Sequence, residues 1–143
     1  MLADHFCEFA IKKMKKFTKE ERLCSRSLLD LLFKNGSSFL LYPFRVSYLL
    51  IPGKKVSPAQ VVINVSKKRF RRAHDRNLIK RRMREAYRLI KSEKLYSYLD
   101  NPEQSLLLSL QFIGKEHLEF SFMQKKMESA FKKLNLALQD ETL

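Results

Sequence analysis

The chain has no tryptophan, and its 143 residues include only 3 glycines and 4 prolines. So little of either argues against a disordered or low-complexity chain and for one domain around one hydrophobic core. No apolar run reaches the ~18 residues that a membrane span needs. The N-terminal stretch MLADHFCEFAIKKMKKF lacks the basic start and long apolar middle of a secretory signal. Together these absences point to the cytoplasm and away from a membrane. Cysteine is scarce as well, with Cys7 and Cys24 the only two. They could close one disulfide, but a basic cytosolic protein keeps its thiols reduced. Cys24 falls in a leucine-rich helical pattern and reads as a small core residue. His5, His74 and His117 are scattered without the spacing of zinc ligands, so no metal site is expected in the chain.

Acidic residues are the other deficit. Asp and Glu total 15 against 29 Lys and Arg, a formal net charge of +14. The imbalance is local. Between Ser66 and Lys94 thirteen basic residues face only Asp75, Glu85 and Glu93, so that window alone carries +10. A field this concentrated attracts a polyanion, and nucleic acid is the leading candidate.

Hydrophobic periodicity orders the rest. Residues 1–16 read as an N-terminal extension in which Phe6, Phe9, Ile11 and Met14 make a weak helical stripe. A flexible tail and a membrane- or partner-binding segment both fit it. Thr18 followed by Glu21 is a capping-box signature. It predicts a helix through Leu28, Leu29, Leu31, Leu32 and Phe33, ending at Asn35-Gly36 with the glycine as a left-handed cap. A short strand follows from Phe39 to Tyr42. In the next, Phe44, Val46, Tyr48 and Leu50 alternate with Arg45, Ser47, Leu49 and Ile51. Pro52-Gly53 is a turn signal, residues 54–58 form a loop, and Gln60 to Lys67 is a third strand. A basic loop, Lys67 to His74, leads to Asp75, an N-cap for a helix reaching to Ser97. Asn101-Pro102 breaks the chain, and Leu106 to Ile113 is apolar enough for a buried strand. A last helix from Ser121 to Leu138 carries Met123, Met127, Ala130, Phe131, Leu134 and Leu138 at helical spacing, and residues 139–143 form a tail. The order is helix, three strands, helix, strand, helix: a single α+β domain with one sheet over residues 17–138.

On a wheel of about 100° per residue, Ile79, Met83, Ala86, Tyr87 and Ile90 fall on one face of the basic helix. Asn77, Lys80, Arg81, Arg84, Arg88 and Lys91 fall roughly opposite. A solvated surface helix would interleave Glu with Lys, whereas the row Arg76, Lys80, Arg84, Arg88 stacks like charges at a cost in stability. Arginine dominates, and its planar fork matches phosphate oxygens. The amide of Asn77 can fix the arginines, read a nucleotide, or satisfy the backbone of the first turn.

The string Val65-Ser-Lys-Lys, followed by Asp75-Arg-Asn-Leu-Ile-Lys-Arg-Arg-Met-Arg-Glu-Ala, resembles the signature of the bacterial ribonuclease P protein subunit. Arg22-Leu23, Phe33-Lys34-Asn35-Gly36, the strand Phe44–Leu50, the apolar strand Leu106–Phe112 and Phe131-Lys132-Lys133-Leu134 fit the same family. The resemblance implies a fold like the second domain of ribosomal protein S5, with an uncommon left-handed crossover around the basic helix. It also implies a role. Ribonuclease P removes the 5′ leader of precursor tRNA through a catalytic RNA. The small protein binds that RNA and the leader, one protein per RNA. Magnesium is held mainly by the RNA subunit and the substrate. Residue by residue, Ser66, Lys67, Lys68, Arg76, Asn77, Lys80, Arg81 and Arg84 match the motif. With Arg72 and Arg88 they make up the candidate RNA-binding set. Phe33 and Tyr48 match aromatic positions of a leader cleft between the first helix and the sheet, though Phe33 in its leucine-rich helix also suits the core. Two positions depart from the family pattern: Leu78 replaces an arginine, whose contact Arg81 or Arg82 could supply, and Leu29 replaces an aromatic.

No catalytic residue is assigned within the chain. His74 beside Asp75 could suggest acid–base chemistry, but a lone loop histidine is more often structural. Glu85 reads as the partner of a local ion pair. Three rivals share the charge. A ribosomal or other structured-RNA-binding protein without enzymatic role differs only in motif order. A DNA-binding regulator would need a helix-turn-helix neighbour before Asp75. A membrane-surface helix would need a more apolar face.

Overall fold

A computed structural model describes residues 17–53, 58–99 and 103–141. The expectations for residues 1–16, for most of the loop at 54–58 and for the break at Asn101-Pro102 lie outside the described residues. Four strands form one sheet: β1 (Ser37–Leu41), β2 (Phe44–Pro52), β3 (Ala59–Val65) and β4 (Gln104–Phe112), in the spatial order β1-β2-β4-β3. β2 runs antiparallel to β1 and β4, and β3 runs parallel to β4. A parallel pair needs a crossover, and the basic helix supplies it. Helices α1 (Arg26–Asn35), α2 (Ala73–Lys94) and α3 (Phe120–Glu141) complete the expected α+β order, with α3 running into the expected tail. Among the described residues no helix is long and apolar enough to cross a membrane.

The two sheet faces are covered unequally. Phe44, Val46, Tyr48, Val61, Val65, Leu106, Leu108, Leu110 and Phe112 pack into one large cluster. Ile79, Met83, Ala86, Tyr87 and Ile90 of α2 join it, as do Met123, Met127, Ala130, Phe131, Leu134 and Leu138 of α3, all as the helical spacing predicts. The opposite face holds a small cluster of Leu23, Leu32, Ile51 and Leu107 under α1. β4 is apolar at both parities because it is an inner strand with helices on both sides. The short α1 leaves the rest of its face to polar residues: Arg45, Ser47, Asn64 and Gln111 share the parity of Leu49, Leu107 and Val62.

Several local expectations are corrected. The Thr18–Glu21 box forms, with Thr18 N donating to Glu21 Oε2 at 3.1 Å, but it closes one 3₁₀ turn, Lys19–Glu21. Arg22 then pairs in parallel with Val61, Leu23 N donating to Val61 O at 2.9 Å, and α1 begins afresh behind Ser25. That pairing covers the outer edge of β3 and leaves Cys24 exposed as a free thiol, outside the core expected for it. Gly36 has φ −75°, extended rather than left-handed. It must be glycine because a Cβ there would run into Leu32 O and lie 2.9 Å from Tyr48 O. α2 starts two residues before Asp75, at Ala73, with Arg72 as N-cap. Asp75 instead sits in the first turn, where a carboxylate suits the helix dipole, and its Oδ1 lies 3.3 Å from His117 Nε2.

Lys91 is the largest departure. Assigned to the cationic face, it is 0% exposed, and its Nζ meets Glu21 Oε2 at 2.5 Å. The rings of Tyr96, Phe17 and Tyr87 surround it, with centroids 5.6 to 6.0 Å from Nζ. Burial pushes its pKa below the ordinary lysine value, and the hydrogen bond to Glu21 opposes that shift. The wheel could not show this, because the partner lies 70 residues upstream.

Candidate nucleic-acid interface

The β3–α2 loop is built by its own backbone and by one arginine. Ser66 O accepts from Arg69 N and Phe70 N, and Ser66 Oγ accepts from Lys68 N at 3.2 Å. Arg76 reaches back from the first turn of α2. Its Nη1 donates to Phe70 O at 2.9 Å and to Arg71 O at 2.8 Å. Phe70 is buried, its ring 6.0 Å from Phe112 and 5.5 Å from His117. The loop is thus pinned at Phe70, while Lys67, Lys68, Arg69, Arg71 and Arg72 stand exposed around it.

Along α2 the expected arc separates into two groups. Asn77, Arg81 and Arg84 are exposed and Lys80 is half-buried. Among the described residues Lys80, Arg81 and Arg84 have no hydrogen-bond or ion-pair partner. The other arginines of the helix are engaged. Arg88 Nη2 contacts Glu85 Oε1 at 2.5 Å, the local pair expected of Glu85, and that hydrogen bond holds the Glu85 carboxyl below its usual range. Arg82 Nη1 donates to Leu118 O at 2.9 Å, tying the β4–α3 loop to α2. Of the two arginines that could stand in for Leu78, only Arg81 is exposed. His74 is exposed in the first turn.

The second part is a cleft beside the C-terminal end of α1. It has a volume of about 300 Å³ and is lined by Leu32, Phe33, Gly36, Ser38, Arg45, Ser47 and Gln111. Phe33 stands at it with its side chain 63% exposed, so it is no core residue. Tyr48 is not in it. Strand alternation places Tyr48 with Phe44 and Val46 on the helix-covered face, 7% exposed, its ring 6.1 Å from Phe39. Ser47, one residue earlier, occupies the cleft instead. Ser38, Arg45, Ser47 and Gln111 were missed as site residues. The alternation of β2 carried the signal, since Arg45 and Ser47 interrupt the apolar parity of Leu49 and Ile51. The sheet register places Gln111 beside Arg45 and Asn64 beside Gln111, a polar row leading across the sheet to the β3 edge. Two residues past Asn64 lies Ser66, where the basic loop begins.

The family model for ribonuclease P matches residues 17–135. The chain belongs to the ribonuclease P protein family. It is 34% identical over 113 residues to the ribonuclease P protein component of Porphyromonas gingivalis strain W83, covering 79% of this chain and 82% of that one. The fold resembles the ribonuclease P protein of Thermotoga maritima, with TM-score 0.58, 24% identity, and coverage of 79% and 96% of the two chains. It resembles that of Staphylococcus aureus equally, with TM-score 0.59, 21% identity, and coverage of 81% and 96%. As a ribonuclease P protein component, the chain is a subunit of the endoribonuclease that matures the 5′ end of tRNA, and ribonuclease P RNA is its partner. The regulator, ribosomal and membrane-surface readings give way to this one. Among the described residues no group of three or more His, Cys, Asp or Glu could hold a metal ion.

Proposed function

We propose that this ribonuclease P subunit grips the RNA through the β3–α2 loop and the exposed arc of α2, and holds the 5′ leader of precursor tRNA in the cleft beside α1. The separation of faces on α2 carries the reading. Met83 and Tyr87 are sealed in the core at 0% exposure, while Arg81 and Arg84 are exposed and have no partner among the described residues. Their donors stay available for charge-assisted bonds to phosphate. Ser66, Lys67, Lys68, Arg72, Asn77 and Lys80 border them, and Arg76 serves by shaping the loop. Arg88, shared with Glu85, is a peripheral contact. In the cleft, Phe33 offers a stacking face, Arg45 a cation, and Ser38, Ser47 and Gln111 hydrogen-bonding groups, a combination that suits an unpaired strand.

The chain's contribution is affinity. Its cations offset the repulsion between two polyanions, the RNA subunit and its substrate, and one protein serves one RNA in the cytoplasm. Magnesium is held by the RNA and the substrate, and the chemistry belongs to the RNA. The test is reconstitution with a bacterial ribonuclease P RNA. Added protein should raise precursor-tRNA cleavage at low magnesium and matter less as magnesium rises. Robust cleavage by the nuclease-free protein alone would sink the proposal, as would the absence of any stimulation.

A further inference from the structure

The basic loop between β3 and α2 is anchored by one buried side chain, Phe70. Its ring packs on Phe112, with centroids 6.0 Å apart, and on His117 of the β4–α3 loop, at 5.5 Å. The same imidazole meets the first turn of α2, where its Nε2 lies 3.3 Å from Asp75 Oδ1. Two neighbouring bonds run in parallel with this contact. Arg82 Nη1 donates to Leu118 O, one residue past His117, and Arg76 Nη1 donates to Phe70 O, both at 2.9 Å. His117 thus links the two elements that present the RNA-facing cations. It touches the anchor of the loop with its ring and the start of the helix with a nitrogen.

Asp75 is out of place by charge. It is the only acidic residue from Lys67 to Arg84, among ten Lys and Arg. The helix dipole favours a carboxylate in the first turn, but a bare carboxylate within a phosphate-binding surface repels the ligand. A neutral imidazole can offer it one N–H. An imidazolium adds an opposite charge at the same distance, which tightens the contact and cancels the misplaced charge.

We infer that His117 is a positioning residue for RNA binding. Protonated, it clasps Asp75 and holds Phe70 and the basic loop in the RNA-binding arrangement, so affinity rises as pH falls. The groups facing it on α2 are Asp75, Arg76 and Arg82. Arg69 and Arg71 stand on either side of Phe70, and Lys115, Glu116 and Glu119 lie along its own loop. His74 precedes Asp75 and is exposed. Of these residue types only histidine changes charge between about pH 5 and 8. The inference rests on the reading of the loop as an RNA contact.

The test begins without RNA. The full chain labelled with ¹⁵N is titrated from about pH 8 to about pH 5.5 as wild type, His117→Gln, Asp75→Asn and His74→Gln, with thermal melting to confirm folding. The backbone amides of Arg69, Phe70 and Arg71 should move with pH in the wild type and in His74→Gln. The movement should vanish in His117→Gln and be mostly lost in Asp75→Asn. Affinity for the ribonuclease P RNA is then measured at both pH values, with Arg81→Ala added, and the RNA's own pH response cancels between variants. On lowering the pH, wild type and His74→Gln should gain about two- to fivefold over His117→Gln and Asp75→Asn, a size that suits a pair with side chains 40% and 32% exposed. A loop that does not move in the wild type, or moves equally in Asp75→Asn, would overturn the inference. So would a pH response that disappears in His74→Gln. Weaker binding in Arg81→Ala, with one pH response shared by the other four proteins, would overturn the inference and leave the interface standing. No effect of any variant would overturn both.

Discussion

At the scale of single residues, exposure alone does not mark the working cations; what matters is whether a protein acceptor already holds them. Arg76, Arg82 and Arg88 spend donors on Phe70 O, Leu118 O and Glu85 respectively, whereas among the described residues Arg81 and Arg84 spend none. Arg81→Ala and Arg84→Ala should therefore each weaken binding to the RNA subunit by roughly 1.5–3 kcal/mol, the range for a hydrogen bond to a charged group, with unchanged melting temperature. Filter binding at fixed salt measures the loss, and equal affinity in both variants would move the RNA surface elsewhere. The aromatics divide in the same way. Phe33→Ala removes an exposed ring and should reduce holoenzyme affinity only for substrate with a leader of several nucleotides, by roughly 1–3 kcal/mol. Tyr48→Ala empties a buried site and should instead cost stability, about 3–5 kcal/mol by analogy with other large aromatic truncations. Leader-length dependence in Tyr48→Ala with full stability would contradict the burial of its ring. The family resemblance made Phe33 and Tyr48 look like a pair. Only parity separates them, because a shift of one residue along a strand changes the face.

At the scale of elements, legibility follows the range of the interactions. The core faces of α2 and α3 and the apolar β4 were readable because their burial repeats with the period of the element. The start of α1 was not. The Thr18–Glu21 box is a true local signal, but Glu21 belongs to a long-range pair, and the chain leaves the 3₁₀ turn to cover the β3 edge before helix resumes at Arg26. The Glu21–Lys91 pair ties this segment to α2, and within it Phe17 packs edge-on to Tyr87 at 5.5 Å. Removing one member of a buried pair leaves the other charge stranded. Glu21→Ala should destabilise by about 3–5 kcal/mol, whereas Glu21→Leu combined with Lys91→Met should recover most or all of it. Urea unfolding of Glu21→Leu, Lys91→Met and the double variant measures this. Additive losses would show that the two charges are not coupled.

At the scale of the whole molecule, the +14 charge becomes useful through its distribution. One end of α2 and its preceding loop carry exposed cations, and the sheet beside α1 carries a cleft with one arginine. The composition announced a polyanion partner, and the motif order announced which one. Neither could reveal which cations are spent inside the protein, since that depends on acceptors supplied by distant loops such as the one bearing Leu118. Salt dependence reads this distribution directly. Binding to the RNA subunit should fall linearly in log affinity against log salt, because each phosphate contact releases counterions. Arg81→Ala and Arg84→Ala should each lower the magnitude of that slope by about 1. Phe33→Ala removes no charge and should leave the slope at the wild-type value. Arg82→Ala should leave it nearly unchanged while loosening the β4–α3 loop, because that guanidinium is committed to Leu118 O. If Arg82→Ala lowered the slope as much as Arg84→Ala, the partition between structural and RNA-facing arginines would be wrong.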